Sequence, residues 1–210
     1  MTDWVTISGL ATAGGTLVLA IATFASVRSA NQSARVAERA LLYGLRPLLL
    51  PSRLEDPVEK ISFQDDHWIH VEGGKAHVEA SADAVYLAIP LRNVGQGIAV
   101  LDGRAFQAER LSGARQRPDT DGFHRLAIDL YVPPKGLGYW QGALRDSSDP
   151  AFATAQKMIN ERQAFTIDLL YGDGEGGQRV ISSFLIRPVR EDAWLASAGR
   201  HWNLDRADPR

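Results

Sequence analysis

From Trp4 to Val27 the chain runs through 24 residues without a charge, bounded by Asp3 and Arg28. A helix rises about 1.5 Å per residue, so this run spans the ~30 Å hydrocarbon core of a bilayer. Leu17, Val18, Leu19, Ile21 and Phe24 carry the apolar weight, and Trp4 stands where an interfacial anchor sits. A cleavable signal peptide wants a basic leading region, and Met1-Thr2-Asp3 supplies none. A buried helix of a soluble protein would carry a polar face, and this run has none before Arg28. The run predicts a transmembrane helix with a short N-terminal tail over residues 1–27. The partner it requires is the lipid bilayer.

Arg28, Arg35, Arg39 and Arg46 follow the run, and no Lys or Arg precedes it. Positive residues gather on the cytoplasmic side, so the expected topology is single-pass with the C-terminal part in the cytoplasm. The stretch after Val27 is rich in Ala, Arg, Glu and Leu and free of proline until Pro47, which predicts a juxtamembrane helix over 28–45. Alternate steps of four and three trace a stripe through Gly9, Ala13, Thr16, Ala20, Thr23 and Val27, continuing to Ala30, Ala34, Ala37 and Leu41. Small residues let helix backbones approach closely in lipid, so the stripe offers a face for a homo-oligomer or a partner helix. More than half of the membrane run is small in any case, and the heptad spacing outside it is too short for a convincing coiled coil.

Beyond Arg46 the pattern changes to alternation. Val85, Leu87, Ile89 and Leu91 share one parity, as do Leu126, Ile128, Leu130 and Val132, then Phe165, Ile167 and Leu169, and Val180, Ser182, Phe184 and Ile186. A period of two marks strands with one face in a core. Turn residues separate them at Asn93-Val94-Gly95-Gln96-Gly97, Asp102-Gly103, Pro133-Pro134-Lys135-Gly136 and Gly172 to Gly177. About seven to nine strands are expected from segments near 47–53, 61–64, 67–72, 76–80, 84–93, 98–111, 123–132, 137–143, 165–171 and 179–187, some of them merging. Such a rhythm, without βαβ units, predicts an antiparallel β-sandwich domain over 46–190. One helix is expected from Pro150 to Gln163, capped by Ser148 or Asp149. A second is expected from Glu191 to about Gly199, opening a C-terminal segment over 191–210.

The segment YLAIPLRNVGQGIAVLDG, with Asn93, Gly95, Gly97 and Ala99, resembles the strand–turn–strand of immunoglobulin-like bacterial domains. The whole layout, with Arg46-Pro47 opening the domain, resembles uncharacterised bacterial single-pass membrane-anchored proteins. The resemblance implies an immunoglobulin-like β-sandwich and a membrane location, and no chemistry.

With no cysteine, disulfides, thiolate metal sites and cysteine nucleophiles are excluded. A net charge of −2 removes the general case for nucleic-acid binding. His67, His70 and His77 follow Asp65-Asp66 closely, but on a strand His67 and His70 point to opposite faces, so no metal is expected. Asp173-Gly174-Glu175-Gly176-Gly177 lacks the ligands of a calcium loop and reads as a hairpin turn. Gly95-Gln96-Gly97 lacks the third glycine of a dinucleotide loop. Arg110, Arg115, Arg117 and Arg125 read as a solvated loop, with anionic lipid headgroups the alternative partner. Trp194, Leu195, Ala198 and Trp202 would line one side of the second helix. No nucleophile-elbow motif occurs. The expectation is therefore no enzyme and no cofactor. The leading reading is a membrane-tethered interaction or scaffold module with protein partners and no nucleic acid. The alternative is a ligand-binding membrane sensor or accessory subunit, with a pocket lined by Tyr86, Tyr131, Tyr139 and Trp140.

Overall fold

The computed structural model describes residues 3–108, 116–189 and 193–205, which fall into two units, Met1–Tyr43 and Gly44–Arg210. In the first, the uncharged run and the stretch after it form one helix, α1 (Asp3–Gly44). Its 42 residues correspond to about 63 Å of helix. The described side chains of α1 are exposed, apart from half-buried Leu42. Its hydroxyls are turned back on the helix: Thr12 donates to the Ser8 carbonyl at 2.9 Å, Thr16 to Thr12 at 2.8 Å and Thr23 to Leu19 at 2.8 Å. The helix stops at Gly44, ahead of Pro47, whose ring disfavours helical backbone in the residue before it.

The second unit is mainly β. Its strands are β1 (Leu49–Pro51), β2 (Glu59–Ser62), β3 (Trp68–Val71), β4 (Lys75–Ala80), β5 (Val85–Asn93) and β6 (Ala99–Gln107). They continue with β7 (His124–Val132), β8 (Leu137–Leu144), β9 (Phe165–Gly172), β10 (Val180–Pro188) and β11 (Trp194–Asn203). Nine of them form one antiparallel curled sheet, in the order β1-β5-β4-β11-β10-β9-β6-β7, with β8 on the other edge of β5. β1 and β4 share an edge of β5: Leu49 pairs with Asn93 at one end, and Ala80 with Val85 at the other. β8 runs along the whole opposite edge, from Val85–Leu144 to Arg92–Leu137.

Alternation along the strands sends Leu49, Val85, Leu87, Ile89, Leu91, Trp140, Phe165, Ile167, Leu169, Phe184 and Trp194 into one core inside the curl. α2 (Pro150–Asn160) closes part of it with Phe152, Ala155, Met158 and Ile159. The helix begins where expected, with Pro150 in its first turn and the Asp149 carboxylate accepting from the Ala151 amide at 2.8 Å.

The expected second helix is not formed among the described residues; its opening residues, Glu191 and Asp192, lie outside them. Trp194 to Asn203 are strand β11, paired along β10 from Pro188–Trp194 to Val180–Asn203. The tryptophans do not share a side: Trp194 enters the main core against Phe165, while Trp202 packs in a small cluster with Leu170 and Ile181. A register shift between Ser182 and Phe184 separates those two ends of the strand.

β2 and β3 stand apart as a two-stranded hairpin. Ile61, Phe63, Ile69 and Val71 form a second cluster with Ala88 of β5, flanked by Tyr86, Tyr139 and Ala143. Ala88, unlike Leu87 and Ile89, lies outside the main core cluster, so the hairpin covers the opposite face of β5.

Candidate functional site

The hairpin and the sheet beneath it bring three ligand-type side chains together. On β4, Ala76 and Val78 turn to the main core. Period two therefore sends His77 and Glu79 to the other face, beside each other. Glu79 lies opposite Tyr86 of β5. His67 comes from the turn between β2 and β3, just after Asp66, whose φ of 59° is tolerated by a short polar side chain.

His67 Nε2 lies 3.1 Å from Glu79 Oε2, and His77 Nε2 also lies 3.1 Å from Glu79 Oε2. The ligand atoms of the three residues are all within 4.8 Å of one another. Their side chains keep 32%, 24% and 42% of their exposure for His67, His77 and Glu79, so water and ions reach them. Burial pushes the His77 pKa below its ordinary value; the Glu79 carboxylate opposes this and His67 adds to it.

The turn carrying His67 is anchored. Its ring stacks on Tyr86 with centroids 4.4 Å apart, and Phe63 meets the same tyrosine edge-on at 4.9 Å. The Tyr86 hydroxyl donates to Asp65 at 2.5 Å, and Arg145 pairs with the same carboxylate at 3.0 Å. The Tyr86 hydrogen bond, with help from Arg145, lowers the Asp65 pKa to about 2.

The sequence expectation set His67 and His70 on opposite faces of one strand; His70 lies on β3, exposed and outside the group, whereas His67 lies in the turn ahead of β3. That expectation missed Glu79, because it tested the histidines against one another along a single strand. The available signal was the His77-Val78-Glu79 spacing on a predicted strand, which puts an imidazole and a carboxylate on one face. That His67 would fold onto that face was not legible locally.

The other candidates separate. Trp4, Gly9, Ala13, Thr16, Ala20, Thr23 and Val27 all lie exposed along α1, as do Arg28, Arg35 and Arg39. Arg46 differs: it belongs to the β unit, and its Nε is buried without a hydrogen-bond partner among the described residues. Its charge bears on the buried Tyr171 hydroxyl, whose pKa is raised by burial and only partly restored by Leu49, Ser182 and Arg46. The aromatics proposed for a pocket do not converge, since Trp140 is wholly buried in the main core while Tyr131 is 55% exposed. Arg117 and Arg125 are exposed; Arg110 and Arg115 lie outside the described residues.

The glycine-rich loop after β9 is a turn. The Asp173 carboxylate accepts from the Glu175 and Gly177 amides, at 3.1 and 2.8 Å, and so serves its own backbone. A concavity of about 140 Å³ near β7 and β8 is lined by Arg104, Arg125 and Arg145. Burial lowers the pKa of Arg104 there.

No protein-family model matches the chain, and no curated protein does. A crystal structure of a protein from Archaeoglobus fulgidus is similar at 11% identity over 63% of this chain and 94% of that one, with a TM-score of 0.25.

Proposed function

We propose that this chain is a single-pass membrane protein that tethers its β domain at the cytoplasmic face as an interaction or scaffold module. One observation carries the reading. α1 contains an 18-residue window of mean hydropathy 1.8, none of which is buried. Trp4, Leu10, Leu17, Val18, Leu19, Ile21 and Phe24 are all at least 61% exposed. An apolar surface of that length needs a nonaqueous environment, and lipid supplies it. The Thr12, Thr16 and Thr23 hydroxyls, already satisfied by backbone carbonyls, add little cost to burial in hydrocarbon.

Arg28, Arg35 and Arg39 follow the apolar run and support a cytoplasmic β domain. The Gly9–Val27 stripe supports helix pairing in the membrane, including with a second copy. The all-antiparallel pairing around one core supports reading the domain as an immunoglobulin-like sandwich. Tethering raises local concentration and so substitutes for intrinsic affinity toward membrane-associated protein partners. A second reading, a sensor of an anionic ligand, is favoured by the concavity that gathers Arg104, Arg125 and Arg145.

The test uses the absence of native cysteine and the exposure of Ser147. A Ser147→Cys chain should stay in the membrane pellet after carbonate washing. It should resist an impermeant thiol reagent in intact cells and react after lysis. Release by carbonate overturns the anchor, and labelling of intact cells overturns the orientation.

A further inference from the structure

We propose that His67, His77 and Glu79 form a binding site for a divalent transition-metal ion of the zinc class. The site is independent of the membrane-tethering reading.

The donor set points to this chemistry. Two imidazole nitrogens and one carboxylate oxygen suit zinc, cobalt and nickel, whereas calcium and magnesium want oxygen ligands alone. The spacing agrees. Ligands about 2.0–2.2 Å from a tetrahedral ion lie roughly 3.3 Å from one another. Both Nε2 to Oε2 separations are 3.1 Å, and the whole group closes within 4.8 Å. Both Nε2 atoms face the same carboxylate oxygen, so an ion held among them binds each imidazole as the tautomer that carries its proton on Nδ1. Little movement is needed beyond drawing the two imidazoles together.

The frame is built in advance. His77 and Glu79 are set by the β4 backbone two residues apart, with Glu79 in register with Tyr86. His67 is set by its stack on Tyr86 and by the Asp65–Tyr86 hydrogen bond. The second hydrophobic cluster holds the hairpin that carries it. The partial exposure of all three side chains leaves a way in and room for a water as a further ligand. A metal here joins the β2–β3 hairpin to the main sheet through residues on both.

The experiment uses the untagged full-length chain in detergent, stripped with a chelator and dialysed. Titration with zinc chloride should show one ion bound per chain, with a thermal midpoint that rises with zinc concentration. Cobalt(II) should give the visible absorption of a four-coordinate nitrogen–oxygen site. His77→Ala and Glu79→Gln should each weaken zinc binding by more than the ~10–100-fold that a metal's outer-shell partners are worth. His70→Ala, on the exposed face of β3, should leave it unchanged. Circular dichroism checks that each variant is folded, and His67→Ala, at a half-exposed turn, provides a third variant should one of the β4 changes unfold the chain. Absence of stoichiometric zinc binding by the native chain overturns the proposal and leaves the cluster as a hydrogen-bonded brace. Binding that survives loss of these ligands in folded variants also overturns it.

Discussion

Asn93 shows how much a single buried side chain holds in this domain. Its carboxamide oxygen accepts from the Leu48 amide at 3.1 Å and the Gly95 amide at 2.9 Å. Its nitrogen donates to the Gly97 carbonyl at 2.7 Å and the Val132 carbonyl at 3.1 Å. One wholly buried residue therefore pins the entry to β1, its own turn and the end of β7. Gly95 and Gly97 make room for this: a Cβ on Gly97 would lie 1.7 Å from the Leu45 carbonyl oxygen, and one on Gly95 2.3 Å from that of Arg46. Asn93→Ala should leave several buried backbone groups unpaired and cost about 3 kcal/mol or more, at ~1–3 kcal/mol for each such group. Urea unfolding of native and variant chains measures it, and a loss under about 1 kcal/mol would contradict this account. In the sequence these residues read as the turn of a strand–turn–strand unit. That the turn cradles residues 45–48 depends on backbone from another part of the chain.

At the scale of elements, local pattern served well where an element satisfies itself locally. The strand segments near 84–93, 123–132 and 165–171 were expected within a residue or two of β5, β7 and β9. α2 begins at Pro150 because Asp149 caps it and Phe152, Ala155 and Ile159 recur on one face. Asp149→Ala should cost about 1 kcal/mol through the lost amide bond to Ala151. Thermal denaturation reads that loss, and Ser148→Ala, which removes no cap, serves as the control. β11 failed the local reading because Trp194, Leu195, Ala198 and Trp202 suit a helical face. Pairing with the whole of β10, and burial of Trp194 against Phe165, overrode that preference.

Across the whole β unit, acidic groups fasten outlying segments to the sheet. Asp65 ties the β2–β3 turn to Tyr86 and Arg145. Asp56 accepts from the Arg53 amide, the largest cause of its lowered pKa, and pairs with Arg92 of β5. Asp205 pairs with Arg179 just ahead of β10, which lowers its pKa as well. A carboxylate whose folded pKa is depressed binds fewer protons when folded, so its stabilisation is present above 3.8 and is lost as pH falls through the folded value. For Asp65 that window runs from 3.8 down to about 2. His77 acts in the same direction at higher pH: its folded pKa lies below 6.5, so stability declines as pH falls below 6.5 towards the folded value. The urea midpoint should therefore fall in two stages on acidification, and Asp65→Asn should reduce only the lower stage. A midpoint that stays level between pH 6 and pH 2 would contradict this linkage.

The division between chain and fold follows from range. An uncharged run of 24 residues, alternation of apolar positions and turn residues at their boundaries are properties of neighbours, so they determined the long helix, most strands and α2 from the sequence alone. The curled strand order, the shared edge of β5 and the conversion of 194–203 into a strand depend on partners far along the chain. So does the meeting of His67 with His77 and Glu79. It required the β2–β3 hairpin to fold over β5, and the apolar cluster of Ile61, Phe63, Ile69 and Val71 on Ala88 supplies the reason it does.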